Sequence, residues 1–323
     1  MIDAASRPAR HRPRIIAVVG ATATGKSALG LSLAETLEGE IISCDSTAVY
    51  RGFDIGTDKV PVGERRGIAH HLVDIVEPSE QYTAARYTCD AVAAIQRVIG
   101  LGRTPIIVGG TGLYYRALTR GLFDGPGRDE ALRARLTRRA QLHGAGWLHR
   151  MVTRVDRPSA FRIHPNDDKR LIRALEVFFL TGHTLTDHFA DTRSPLAGYD
   201  LVTVGIRIPR DEIVRRVTHR VHEQFARGLL SEVEGLLGRG VPPDAPPFGG
   251  LVYRQVMEYR RGVRDETTTR ALIVQENRRY AKRQLIWFLK EPNLHWLEIP
   301  GEHPDAMRHV RSVLQRDVST YTQ

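Results

Sequence analysis

The chain of 323 residues has only two cysteines, Cys44 and Cys89. That is too few for a disulfide scaffold or a Cys-rich zinc site, and it fits a reducing compartment. No run approaches the roughly 20 apolar residues of a membrane span. The start, Met1-Ile2-Asp3-Ala4, lacks the apolar centre of a signal peptide. We therefore expect a cytoplasmic protein with no membrane partner. Lysine is scarce as well: Lys26, Lys59, Lys169, Lys282 and Lys290 are the full set, so the formal net charge of +10 is carried by arginine. A basic chain of this kind suits a polyanionic partner, but solvated arginine-rich faces give the same balance, and charge alone does not choose.

Against these absences stands Gly20-Ala21-Thr22-Ala23-Thr24-Gly25-Lys26-Ser27, which fits the phosphate-loop pattern G-x-x-x-x-G-K-[ST]. The apolar Ile15–Val19 before it has the length of a buried strand, and Ala28–Glu35 after it has helical spacing. Strand, glycine loop and helix is the order in which backbone N–H groups converge on a phosphate. Lys26 adds a mobile positive charge and the Ser27 hydroxyl a ligand for Mg²⁺. A nucleotide or another di- or triphosphate is the expected ligand. Kinases, NTPases and diphosphate-releasing transferases all use such a cradle, so the reaction has to be read elsewhere.

A chain of this length suggests two lobes. Residues 1–13 read as a disordered arm, and residues 14–120 alternate strand and helix (Ile15–Val19, Ala28–Leu37, Glu40–Cys44, Ala84–Ile99, Pro105–Val108). That is the pattern of an α/β core with a parallel sheet and flanking helices. Residues 121–196 show no good strand and much arginine. We expect a helical insertion there, with helices over Asp129–Leu142 and Asp168–Thr181, the second capped by Asn166 or Asp167 and lined by Leu171, Leu175, Phe178 and Phe179. Residues 197–323 resume the core: a strand at Leu201–Ile208, a long helix over Asp211–Leu237 punctuated by Gly228, a Pro/Gly break over Val241–Gly250, helices at Val252–Tyr259 and Thr267–Leu289, a strand at Asn293–Ile299 and a closing helix at Asp305–Leu314.

Asp45 and the Gly109-Gly110-Thr111-Gly112 turn follow strands, which sets them on the sheet edge that also carries the phosphate loop. There Asp45 can hold Mg²⁺ or accept a proton from a nucleophile. His70-His71 lacks further ligands at metal spacing and reads as structural or substrate-contacting.

The phosphate loop, Ile42-Ser43-Cys44-Asp45-Ser46, Val49 to Lys59, His71-Leu72-Val73-Asp74, Val108 to Tyr115, His164-Pro165-Asn166-Asp167 with Arg170 to Glu176, Tyr253-Arg254-Gln255 and Ala281-Lys282-Arg283-Gln284 stand in one order and spacing. In this the chain resembles the bacterial tRNA dimethylallyltransferases. The resemblance implies transfer of a dimethylallyl group from dimethylallyl diphosphate to N6 of the adenosine 3′-adjacent to the anticodon. It implies that Asp45 acts as base, and that Thr22 and Arg220 attend the diphosphate with the loop, Lys26 and Mg²⁺. It also implies that Asp45, Ser46, Thr47, Ala48 and Thr111 meet the extruded nucleotide. The anticodon stem-loop is expected against Arg133, Lys169, Arg170, Leu171, Ile172, Arg173 and the stretch Gly249, Gly250, Leu251, Val252, Tyr253, Arg254. The target adenosine must leave its stack, at a cost of order a few kcal/mol.

Val252 stands where the family usually has glycine, and Gly249-Gly250 replace a more usual pair such as Arg-Cys. No Cys/His pattern for a C-terminal zinc finger is present, so the chain looks like the shorter bacterial form, which we expect to be a monomer. A kinase, an adenine-nucleotide prenyltransferase and an RNA-binding nucleotide switch are the competing readings. The basic insertion argues against the first two, and an acid at Asp45 against the third.

Overall fold

In a computed structural model, which describes residues 12–123 and 125–319, the apolar run Arg14–Gly20 forms β1, one of the two middle strands of the sheet. Its Ile15, Ala17 and Val19 face one hydrophobic core while Ile16 and Val18 face another. A strand buried on both faces has no need of polar alternation, which is why this run is continuously apolar. The expected arm over residues 1–13 lies outside the described residues except for its last two.

The next elements are α1 (Lys26–Thr36), β2 (Gly39–Cys44), β3 (His70–His71), α2 (Ala84–Gly100), β4 (Thr104–Gly109), α3 (Gly112–Arg120), α4 (Glu130–His143), α5 (Trp147–Val155), α6 (Arg157–Arg162), α7 (Asp168–Thr181) and α8 (Leu185–Ala190). They are followed by β5 (Asp200–Ile206), α9 (Arg210–Ala226), α10 (Leu229–Gly238), α11 (Leu251–Arg260), α12 (Glu266–Phe288), β6 (Leu294–Leu297) and α13 (Ala306–Ser319). The six strands order as β3-β2-β4-β1-β5-β6, and every pairing is parallel. The parallel α/β sheet with flanking helices expected from the sequence is therefore present. β2 and β4 close at Cys44 opposite Gly109. A Cβ on Gly109 would lie 2.1 Å from the Cys44 carbonyl oxygen, so only glycine lets these two strand ends approach.

The chain divides into two compact units, one running to Leu118 and resuming at Leu196, the other spanning Thr119–Pro195. In the second, Leu132, Leu136, Leu148, Val152, Leu171 and Leu175 form a separate apolar core. Its principal helix, α7, starts where Asp167 Oδ1 accepts the Arg170 N–H and stops at Gly182, whose φ of 76° is left-handed.

Three expectations are corrected. The helix read over Asp211–Leu237 is two, α9 and α10, because Gly228 turns left-handed at φ 91° between them. Phe179 is 48% exposed and does not line the α7 core, whereas Glu176 is wholly buried there. Short α5, α6 and α8 fill stretches of the second unit in which no helix was expected.

Candidate active site

The loop Gly20–Gly25 turns between β1 and α1 with Ala23 and Gly25 at φ 63° and 87°. This conformation brings Lys26 and Ser27 to the first turn of α1, where unpaired backbone N–H groups and the helix dipole favour an anion. Lys26 Nζ rests on the Ala21 carbonyl oxygen at 2.5 Å, which also accepts the Thr24 hydroxyl at 2.9 Å. Burial, reinforced by repulsion from Arg220, lowers the Lys26 pKa to about 8. From the far end of the chain, the Gly301 N–H donates to the Thr24 carbonyl at 2.9 Å. A Cβ on Gly25 would fall within 2.6 Å of the Gly301 nitrogen, so the loop and this segment fit only with glycine at 25.

Across the cleft, Asp45 follows β2. Its Oδ1 accepts the Thr47 N–H at 2.8 Å, the Thr47 hydroxyl at 2.7 Å and the Ala48 N–H at 3.2 Å. All the bonds found among the described residues fall on Oδ1, so the turn fixes the carboxylate by one oxygen and leaves the other for chemistry. Thr111 Oγ1 accepts the Ser46 N–H at 3.1 Å, tying the β4–α3 turn to the Asp45 turn.

Arg220 enters from α9. It reaches Asp58 Oδ2 at 3.3 Å and Asn277 Oδ1 at 3.4 Å, while its buried Nε has no partner. An unsatisfied buried guanidinium N–H costs stability unless a ligand supplies an acceptor. Asp58 is itself placed by a stapled loop: the buried Lys59 ammonium bonds the Tyr50 carbonyl, Asp54 at 2.7 Å and Asp74 at 2.5 Å. Glu232 caps the same loop by accepting the N–H groups of Asp54 and Ile55.

Thr22, Gly25, Lys26, Ser27, Asp45, Ala48 and Arg220 thus line a single cleft of about 310 Å³, together with Asp58, Lys59, His70, Tyr280 and Gln284. Sequence reading missed the roles of the last two. They stand one turn apart on α12, and the signal available for Gln284 was its place in the Ala281-Lys282-Arg283-Gln284 motif. Burial pushes the Tyr280 hydroxyl up to about 12. His70 Nδ1 sits 2.9 Å from the Ile68 carbonyl and His71 Nε2 lies 2.6 Å from Glu40, so both histidines are engaged within the fold.

No cluster of three or more His, Cys, Asp or Glu suited to a metal occurs among the described residues. A hard divalent cation such as Mg²⁺ takes oxygen ligands and is commonly held by one or two protein oxygens plus substrate phosphates. The Ser27 hydroxyl on the cleft wall is such an oxygen.

The residues expected at the anticodon arm fare unevenly. Lys169 and Arg170 are exposed at the start of α7. Leu171 and Ile172 are buried in the second unit's core. Arg133 and Arg173 are drawn inward: Glu176 takes two bonds from Arg133, at 2.7 and 2.8 Å, and one from Arg173 at 2.6 Å. In the first unit Gly249 is exposed, Gly250 and Leu251 are half-buried, and Arg254 is exposed and paired with Glu276 at 2.7 Å. Val252 and Tyr253 are buried. The Tyr253 hydroxyl donates to Glu232 at 2.6 Å and accepts the Gly56 N–H at 3.0 Å, so it supports the stapled loop from behind.

Residues 48–291 match the family model described as IPP transferase. The chain is 44% identical over 289 residues to tRNA dimethylallyltransferase 1 of Trichlorobacter lovleyi, covering 90% of this chain and 95% of that one. It is similar to the crystal structure of the full-length tRNA isopentenylpyrophosphate transferase from Bacillus halodurans, with 34% identity, a TM-score of 0.70 and coverage of 97% and 100% of the two chains. A eukaryotic dimethylallyltransferase crystallised acting on tRNA shares the fold at a TM-score of 0.79 and 24% identity, over 95% of this chain and 80% of that one.

Proposed function

The chain belongs to the IPP transferase family, and from that premise we propose how its cleft works. It is a prenyltransferase that adds a dimethylallyl group to N6 of the adenosine 3′-adjacent to the anticodon of tRNA, releasing diphosphate. The observation that carries this reading is the meeting, in one cleft, of the anion-ready turn at Lys26, the half-satisfied Arg220 and the half-free Asp45.

An exocyclic adenine amine is a poor nucleophile because its lone pair is delocalised into the ring. It therefore needs a proton acceptor and a good leaving group. Asp45, held by Oδ1, accepts the N6 proton on Oδ2 as the new C–N bond forms. The C–O bond to diphosphate breaks in the same displacement, and the charge that builds on the leaving oxygens meets Lys26, Arg220 and the loop N–H groups. Lys26 exchanges its bond to Ala21 for one to phosphate, and Arg220 Nε gains the acceptor it lacks. Thr22 on the cleft wall bridges the diphosphate and the reacting carbon. When bound through Ser27, Mg²⁺ supplies further charge neutralisation on the diphosphate.

In the first unit, Ser46, Thr47, Ala48 and Thr111 surround the extruded base. Gly249, Gly250, Leu251 and Arg254 stand in the stretch that meets the anticodon loop, while Val252 and Tyr253 shape it from beneath. In the second unit Lys169 and Arg170 are the cations for phosphates of the anticodon arm. A tRNA substrate accords with a cytoplasmic protein.

The test is incubation of the protein with dimethylallyl diphosphate, Mg²⁺ and unmodified tRNA, followed by mass spectrometry of the nucleosides. Isopentenyladenosine at the position after the anticodon is expected. Phosphorylated product with ATP in place of the allyl donor, and no prenylated nucleoside, would favour a kinase instead.

A further inference from the structure

We propose that Gln284 is a positioning residue, one whose side-chain amide sets the distance between the diphosphate loop and the Asp45 turn; the inference rests on the reaction assigned above. Gln284 is 7% exposed and lies near the end of α12. Its Oε1 accepts the Thr22 N–H at 2.8 Å, and its Nε2 donates to the Gly110 carbonyl at 2.9 Å. The two partners fix which way the amide faces, because the flipped amide would oppose N–H to N–H and oxygen to oxygen.

Each end of this link continues into the site. The Ala21–Thr22 peptide is trans, so its carbonyl and N–H point oppositely. Gln284 holds the N–H while Lys26 and Thr24 hold the carbonyl, and the peptide plane is thereby set. On the other side, Gly110 precedes Thr111, whose N–H donates to the Cys44 carbonyl at 3.2 Å and whose Oγ1 receives the Ser46 N–H. A Cβ at Gly110 would lie 2.4 Å from Gln284 Nε2, so no larger residue fits between the amide and the turn. A single amide thus joins the residue that attends the leaving group to the β4–α3 turn, and through Thr111 to the turn that carries the proposed base. Displacement requires amine, carbon and leaving oxygen in line, and a misplacement of about 1 Å can cost about 100-fold in rate.

The experiment compares wild type, Gln284→Met and Gln284→Glu in prenyl transfer, with active-site concentrations titrated and tRNA affinity measured separately. Methionine keeps the volume and loses both bonds. Its kcat should fall about 10- to 100-fold, with tRNA affinity within about three-fold and a thermal midpoint only a few degrees below wild type. Glutamate restores both bonds only when protonated, since a carboxylic acid presents one O–H donor and one carbonyl acceptor. Its kcat, taken as a ratio to wild type at each pH, should therefore rise as pH falls, and that of methionine should not. Lys26, Asp45, Tyr280 and Arg220, which line the same cleft, and Arg283 beside Tyr280 are present in both proteins, so the ratio isolates the group introduced at 284. A methionine variant with normal kcat per active site, or a glutamate ratio that is flat with pH, overturns the proposal. A wild-type protein that transfers no allyl group overturns the underlying reaction instead.

Discussion

Arg133 on α4 grips the wholly buried Glu176 of α7 through two parallel hydrogen bonds, Nε to Oε1 at 2.7 Å and a second N–H to Oε2 at 2.8 Å. Arg173 and the Asp129 N–H complete the set. Burial alone would raise the Glu176 pKa, but bonds from Arg133 and Arg173 outweigh it and bring it down to about 2.

Removing Arg133 takes two hydrogen bonds from a buried charge that Arg173 and the Asp129 N–H then compensate only in part, so Arg133→Ala should destabilise the Thr119–Pro195 unit by about 1.5–3 kcal/mol. Native-state proteolysis should locate early cleavage within that unit. The pH dependence has a definite sign. Glu176 has a depressed pKa in the folded state, so its contribution is complete above the ordinary carboxylate value of 4.5 and is lost as pH falls from there toward about 2. Urea midpoints taken across that window should drop for wild type and stay flatter for Glu176→Gln.

Asp45→Asn should lower kcat by ~10²–10⁴ with tRNA affinity little changed, the loss typical of a positioned general base. The amide oxygen can still accept the bonds from Thr47 and Ala48, so the turn survives and the measurement isolates proton transfer. Single-turnover transfer to an anticodon stem-loop is the assay, and near-normal rates would remove Asp45 as the base.

Arg220→Ala removes the guanidinium whose Nε lacks an acceptor. By analogy with loss of one preorganised donor to developing negative charge, kcat/KM for the allyl diphosphate should fall by ~10²–10³. Filter binding of tRNA should be unaffected. Unchanged kinetics at limiting donor would place Arg220 outside the reaction.

Replacing Lys169 and Arg170 with alanine should weaken tRNA binding and flatten its salt dependence. Each lost phosphate contact lowers the slope of log K against log salt by roughly 0.7–0.9. Donor kinetics should stay as in wild type. A slope identical to wild type would leave these two cations without the assigned contact.

The phosphate loop, Asp45 and the parallel core could be read from the sequence because each is a local signal: a short motif, an acid after an apolar run, strands too apolar to be solvated. β3 could not, since His70-His71 carries no apolar pattern and is a strand only through pairing with Ile41 and Ile42. The pairing of Arg133 with Glu176 could not be read either, for a related reason. Helical periodicity sorts residues into apolar and polar faces, and it has no way to mark Glu176, a charged residue buried because two arginines follow it inward. Gln284 meets Thr22 across 262 positions of sequence, and no spacing rule spans that interval. Tyr253 and Val252, which sequence order set beside the RNA, are held under the surface by packing that the motif does not encode.

The bond from Gly301 to the carbonyl of Thr24 has a consequence for biosynthesis. Ribosomes add roughly 5–20 residues per second, so the support of the phosphate loop is made roughly 15–55 s after the loop itself. β1, α1, β2 and β4 can pair long before then, but Gly25 has no Gly301 to lean on until nearly the whole chain is out. A nascent or prematurely ended chain lacks that buttress, and the donor side of the cleft is therefore among the last parts of the molecule to mature.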